Sequence, residues 1–304
     1  MPTHNPESIA LDEQTAADSA YPASARTPAG PYDPANDSPF AFTFVPTEEL
    51  DDDQRWSRYD EAGVLTGPEP VPDWVITDSG AIETELGILK TGKEADVYLL
   101  ERATEQRTTV LAAKRYRDAE HRQFHRDAGY TESRRTRNSR DRRAMAKHTS
   151  HGRAVQAGQW AGAEFGALCS MWEAGLPVPY PIQLDDAEIL MELITDADGE
   201  VAPRLAQTRP QPELLRVYWE QLHQALVVLA GRQQAHGDLS PFNILATGER
   251  LVIIDVPQMT DIVGNPNGMD YLARDCRNVC NWFTARGLES DAEELLSELI
   301  SYAW

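Results

Sequence analysis

Between residues 82 and 194 the apolar runs follow an order that few folds can use. Ile82–Leu89 and Asp96–Glu101 read as short strands flanking Lys90-Thr91-Gly92-Lys93-Glu94-Ala95, and Thr108–Tyr116 reads as a third. Residues 154–174 then carry Trp160, Ala161, Glu164, Phe165, Leu168, Met171 and Trp172 at helical spacing. Gly175 stops that helix, and Pro177 and Pro179 prevent a restart. Two more apolar runs follow, Ile182–Leu184 and Ile189–Ile194. The second half is more helical: Pro212–Gln234 has a long apolar face, His236–Asn243 is a polar loop, and Leu251–Val256 is a buried strand. Gly268–Arg286 and Ser290–Tyr302 are two closing helices. The expected fold is α+β in two lobes, an antiparallel sheet with one helix and then a mainly helical half.

Flanking and inserted segments read differently. Eight of the twenty prolines lie within residues 2–46, and acids gather at Glu48, Glu49 and Asp51–Asp53, so residues 1–68 are expected to be an acidic tail. Phe40, Phe42 and Phe44 could dock as a strand, but a loose tail is the plainer reading. The expected lobes are residues 69–194 and 195–304. The net charge of −21 argues against coating nucleic acid or anionic membrane. It is unevenly spread, however: residues 114–153 carry thirteen Lys/Arg against five acids, or +8, leaving −29 elsewhere. The basic segment 117–150 reads as a loop that could hold phosphate groups, touch an RNA backbone, or simply be solvated. Cys169, Cys276 and Cys280 are too few for a disulfide framework; the last two, four apart, read as buried thiols. With no signal peptide and no apolar run long enough to span a bilayer, the expectation is a cytoplasmic protein without membrane contact.

Four short stretches carry the chemistry. A Gly at a strand–turn–strand, as in Thr91-Gly92-Lys93-Glu94-Ala95-Asp96-Val97-Tyr98, lets backbone N–H groups approach a phosphate. No helix follows, so this is not a Walker A loop, and most such hairpins bind nothing. Lys114 ends an apolar strand; a lysine that reaches nucleotide phosphates needs such a rigid strand and a carboxylate to hold it. Glu164, on the apolar face of the helix, is the candidate, since a buried Glu demands a partner. In His236-Gly237-Asp238-Leu239-Ser240-Pro241-Phe242-Asn243, Asp238 can accept or orient a hydroxyl proton and Asn243 can offer an oxygen to a metal. Asp255, in Ile253-Ile254-Asp255-Val256, suits Mg²⁺, which binds through one or two carboxylates plus phosphate oxygens. In this order and spacing the four form the phosphoryl-transfer set of a protein-kinase-like fold.

TGKEADVY, AAKRY, HGDLSPFNIL and IIDVPQ together resemble the RIO family of atypical serine/threonine protein kinases, most closely its first subgroup, across about residues 80–286. The basic insert ending in WAGAEF is similar to that subgroup as well. The resemblance implies that Thr91, Gly92, Lys93, Glu94 and Ala95 form a phosphate loop with Val97 beside it. It implies that Lys114 contacts the α/β-phosphates and pairs with Glu164. Met191 would sit at the back of the adenine pocket, with the backbone of Glu192 and Ile194 as hinge. Asp238 would be the catalytic Asp, and Asn243 and Asp255 would hold Mg²⁺ or Mn²⁺. Asp96 replaces the usual Asn and Arg115 follows the Lys; Asp96 adds a negative charge near phosphate, which is expected to be tolerated if its side chain points away. No D-F-G, A-P-E or activation segment follows Asp255. The implied activity is ATP-dependent autophosphorylation or phosphorylation of an unknown protein. The alternatives are an ATPase switch on a ribosomal or RNA particle, with Asp255 itself accepting phosphate, and a small-molecule phosphotransferase, which the TGKEADVY and IDVPQ stretches disfavour.

Overall fold

The computed structural model describes residues 50–117, 150–256 and 259–304. The aromatic cluster at 40–44 and most of the basic segment 117–150 lie outside these residues.

Seven strands form one antiparallel sheet in the order β1-β3-β4-β5-β7-β6-β2. They are β1 (Gln54–Trp56), β2 (Leu65–Thr66), β3 (Ile82–Thr91), β4 (Ala95–Ala103), β5 (Thr108–Tyr116), β6 (Pro181–Asp185) and β7 (Glu188–Glu192). Helix α1 (Ser150–Glu173) packs across β5, β6 and β7 through Ala157, Ala161, Phe165 and Leu168. Its end is a Schellman turn. Gly175, at φ +73, donates to Trp172 O, and Leu176 N–H reaches back to Met171 O. The stop expected at Gly175 is therefore a left-handed cap that a Cβ would strain.

One boundary needs correction. Residues 50–68 were expected to belong to the tail, yet Gln54–Trp56 pairs with Ile82–Thr84 and Leu65–Thr66 with Gln183–Leu184. Short polar strands at sheet edges carry little apolar periodicity, so composition alone hides them. Arg55 belongs to this edge: it pairs with Glu83 at 2.7 Å and also with Glu188. Glu83 in turn meets Arg102, which is fully buried and also bonds Ile76 O at 3.0 Å and Gln183 at 2.6 Å. This charge network ties β1, β3, β4, β6 and β7 together, and its buried ions are tolerable because each has several partners.

The C-terminal half is built around α2 (Pro212–Gly231), whose Leu215, Tyr218, Leu222, Leu226 and Leu229 form the buried face expected from their spacing. Pro212 occupies the first turn, where its missing N–H leaves no bond unmade. Two small antiparallel pairs follow, β9 (Ile244–Thr247) with β10 (Arg250–Ile253) and β8 (Gln234–Ala235) with β11 (Thr260–Asp261). Helices α3 (Gly268–Thr284) and α4 (Ala292–Ala303) close the core. Asp291 caps α4 by accepting from Glu293 N–H at 2.7 Å and Glu294 N–H at 3.1 Å. Cys276 and Cys280 are buried in this core, and burial pushes the Cys276 thiol up to about 12. The strand expected over 251–256 ends at Ile253, so Asp255 stands in the following loop with φ +63, not on a strand.

Candidate functional site

A cavity of about 740 Å³ opens between the large sheet and the C-terminal half. Its roof is the β3–β4 hairpin. Gly92 N–H donates to Ala95 O at 3.0 Å, and a Cβ on Gly92 would lie 2.6 Å from that oxygen, so the turn admits only glycine. Lys93, Glu94, Ala95 and Val97 line the cavity with Gly92; Thr91 does not, standing opposite Asp96 at the base of the hairpin. Asp96 bonds Arg117, with Nε to Oδ2 at 2.6 Å, and Arg117 N–H reaches Glu94 O at 2.8 Å. The Arg117 guanidinium, then the Gly92 N–H and the Thr91 hydroxyl, hold the Asp96 carboxyl below the usual range despite the opposing effect of burial. Asp96 thus braces the hairpin from outside and is not among the residues lining the cavity.

Lys114 projects from β5 into the cavity. Its ammonium meets Glu164 Oε1 at 2.6 Å and Asp255 Oδ1 at 3.0 Å. Burial alone would push the ammonium down, but the two carboxylates outweigh it and the net direction is upward. Asp255 answers in kind: burial opposes its charge, yet Lys114 holds it below the usual carboxylate range. Glu164 is 1% exposed and also receives the Tyr116 hydroxyl on its other oxygen. The Lys–Glu pairing expected from residues fifty apart is present. Tyr116 was missed, although its alternation with Lys114 along β5 offers no signal that its hydroxyl reaches the same carboxylate.

Met191, Glu192 and Ile194 line the far wall. Glu192 N–H is committed to Tyr180 O at 2.9 Å and Ile194 O to Ala202 N–H at 2.9 Å. The Glu192 side chain turns back to Tyr180 N–H at 3.0 Å.

Asp238 and Asn243 stand beside the cavity but do not line it. Asp238 has a half-exposed carboxylate, 3.9 Å from Arg274. Asn243 donates its amide to Asp238 O at 2.8 Å, an arrangement that does not use its side-chain oxygen, and its backbone carbonyl accepts from Ile254 N–H at 2.9 Å. His236 is fully buried: Nδ1 accepts from Asp238 N–H at 3.3 Å and Nε2 meets Ile254 O at 3.4 Å. Burial holds this imidazole below its ordinary range, so it stays neutral, with the proton on Nε2. The loop is then clamped from α3. Asp275 accepts from Gly237 N–H and Leu239 N–H, both at 2.8 Å; Arg274 donates to Gly237 O and Asn278 to Leu239 O at 2.9 Å. Burial pushes the Asp275 carboxyl up to about 7 against those two N–H bonds. These three were missed. The signal was a charged residue inside the apolar face of α3, between Leu272 and Cys276.

A sequence profile described as the RIO domain matches residues 96–295. The chain belongs to the RIO family. It is 31% identical over 225 residues to the RIO-type serine/threonine-protein kinase Rio1 of Haloferax volcanii, covering 72% of this chain and 70% of that one. It is 30% identical over 231 residues to the serine/threonine-protein kinase rio1 of Dictyostelium discoideum, covering 74% of this chain but 37% of that one. Among solved structures, a Rio2 kinase–ADP/Mg²⁺–phosphoaspartate complex from Chaetomium thermophilum superposes with TM-score 0.52 at 23% identity, covering 72% of this chain and 62% of that one. The RIO fold, a two-lobed α+β architecture, agrees with the sheet, helix and reduced helical half expected from the sequence.

Proposed function

We propose that this RIO protein is an ATP-dependent serine/threonine phosphotransferase whose cavity holds the nucleotide. The observation that carries the reading is the Lys114–Glu164–Asp255 cluster beneath a glycine hairpin, with Asp238 fixed beside it. Val97 and Ala112 face the adenine from the sheet, with Met191 behind it. Since Glu192 N–H and Ile194 O are already bonded, the Glu192 carbonyl and Ile194 N–H remain to bind the adenine edge. Gly92, whose N–H is taken by Ala95 O, sets the turn with Thr91 and Ala95 so that the hairpin backbone at Lys93 and Glu94 is presented to the phosphates, and Lys114 neutralises the α/β-phosphates.

The residues also fit a divalent cation. Among the described residues no group of three or more His, Cys, Asp or Glu could by itself hold a metal. Mg²⁺ needs no such cage, taking one or two protein oxygens together with substrate phosphates. The Asn243 side-chain oxygen and the Asp255 carboxylate are that set, drawn together by the Asn243 O–Ile254 N–H bond. The ion, Mg²⁺ or Mn²⁺, would neutralise charge on the β- and γ-phosphates. Asp238 orients the acceptor hydroxyl and takes its proton as the oxygen–phosphorus bond forms and the bond to the leaving ADP breaks. The acceptor is a seryl or threonyl hydroxyl, on this chain or on another protein.

A second reading has its own support. Only twelve residues separate Asp255 from the start of α3 at Gly268, too few for an extended platform that binds a peptide. In that reading Asp255 accepts the phosphoryl group, and the protein is an ATPase switch for a ribosomal or RNA particle met through the basic segment 117–150. Incubation with γ-labelled ATP and Mg²⁺ separates the two. Acid-stable label on Ser or Thr supports the kinase; hydroxylamine-labile label with release of free phosphate supports the ATPase. Asp238→Ala should reduce either turnover by about 10²–10⁴-fold while ATP still binds; turnover within twofold of wild type would overturn the assignment. The cytoplasm is the setting in which the three free thiols and an ATP supply are compatible.

A further inference from the structure

Two cations face the cavity without a role in the mechanism. Lys90 lies near the end of β3, and its partner across the sheet is Val97, whose partner on the other side is Lys114. Directly opposed residues share a face of a sheet, so Lys90 and Lys114 rise from the same face with one strand between them, roughly 10 Å apart at the backbone. Both line the cavity. Arg204 lines it from the C-terminal half, where its backbone bridges to Leu245 and its N–H meets Gln207 Oε1 at 3.0 Å. Lys114 is neutralised by Glu164 and Asp255, whereas Lys90 and Arg204 have no side-chain ion pair among the described residues. They do feel each other: partial burial, then the charge of Arg204, and more weakly that of Lys114, hold the Lys90 ammonium below its ordinary range against the pull of Asp255.

The charge balance says what belongs between them. Four cations and four carboxylates line the cavity, so it is neutral as a whole. Without Lys90 and Arg204 the lining would carry two net negative charges. Two like charges from opposite walls, facing one space with no ion-pair partner among the described residues, suit an anion. We propose that Lys90 and Arg204 form a phosphate clamp, one arm from each lobe, that grips the phosphate chain of the nucleotide in addition to Lys114. The clamp rests on the nucleotide reading and assigns it two further binding residues. It also predicts that affinity rises with the number of phosphates.

Calorimetric titration of the full chain with ATP, ADP and adenosine tests this. Lys90→Met and Arg204→Gln should each weaken ATP by about tenfold, the scale of one charge-assisted contact. ADP should weaken less and adenosine not at all. The melting temperature of the nucleotide-free variants should stay level or rise, because each substitution relieves like-charge repulsion across the cavity; a brace would lower it. Lys90→Gln serves if the Met variant does not fold. ATP affinity within twofold of wild type in both variants would overturn the clamp, as would a loss of adenosine affinity equal to that of ATP. Wild-type protein that binds none of the three ligands would instead overturn the nucleotide reading, and the clamp with it.

Discussion

The two walls of the site hold their key residues by opposite means. Lys114 is held by counterions: a buried Glu164, a half-exposed Asp255 and a tyrosine hydroxyl behind them. Asp238 is held through the chain on either side of it. Asp275, Arg274 and Asn278 bond the backbone of Gly237 and Leu239, and His236 and Asn243 bond that of Asp238 itself. The difference follows from what the proposed mechanism asks of each group. An ammonium that stays charged while buried needs carboxylates near it, and its position is then coupled to theirs. A carboxylate that must meet an incoming hydroxyl is best left half-exposed, with its neighbours carrying the constraint.

The loop wall should therefore be the more fragile. Asp275→Ala leaves the Gly237 and Leu239 N–H groups buried without acceptors, a cost of about 2–5 kcal/mol. Turnover should fall further than ATP affinity, because Asp238 loses its position while the cavity lining stays intact. Equal losses in both would mean that the two walls are one unit. The same residue predicts a pH effect. Its folded carboxyl is pushed up to about 7, well above the usual range, so the folded state keeps a proton that the unfolded chain releases. Its contribution to stability is complete below the ordinary carboxylate range and is lost as pH rises to 7. The melting-temperature gap between wild type and Asp275→Asn should therefore narrow between pH 5 and pH 8. A constant gap would contradict the raised carboxyl.

The contrast also explains what the sequence made legible. Lys114, Asp238, Asn243 and Asp255 sit in short stretches whose residue types and spacing point to phosphoryl transfer, and the Lys114–Glu164 pair follows from the rule that a Glu on an apolar face needs a partner. Asp275 obeyed the same rule on α3, but its partners are backbone N–H groups, and nothing in a sequence marks which loop a helix will clamp. Arg102 was invisible for a similar reason, since its partners Glu83 and Gln183 come from separate strands. Strands β1 and β2 were lost to the tail because edges two or three residues long have no period to read.

On the sheet wall a milder response is expected. Glu164→Gln keeps an acceptor for Lys114 and leaves the Asp255 contact, so the ammonium stays anchored but is drawn toward Asp255 and away from the phosphates. KM for ATP should rise about tenfold, the worth of one charge-assisted contact, and the melting temperature should fall by several degrees, because the buried ammonium loses one of its two counterions. A fall in kcat at constant KM would instead place Glu164 with the loop residues and blur the contrast.

The smallest effect belongs to Tyr116→Phe, and it tests whether the counterion wall has a second layer. The Tyr116 hydroxyl donates to the Glu164 oxygen that Lys114 does not use. Burial, then the charge of Glu164, pushes this phenol far above its ordinary range, so it remains a donor at any working pH. Phenylalanine keeps the ring, over which the Lys114 ammonium lies 5.4 Å from the centroid, and removes only the hydroxyl. Glu164 retains its ion pair, so the loss should be about 1 kcal/mol of stability, a shift of a few degrees in melting temperature. KM for ATP should stay within about threefold of wild type, because the contact that matters to phosphate is one bond removed. A rise as large as that of Glu164→Gln would show that Lys114, Glu164 and Tyr116 act as a single network, with the hydroxyl setting the carboxylate's orientation and not merely filling its spare lone pair.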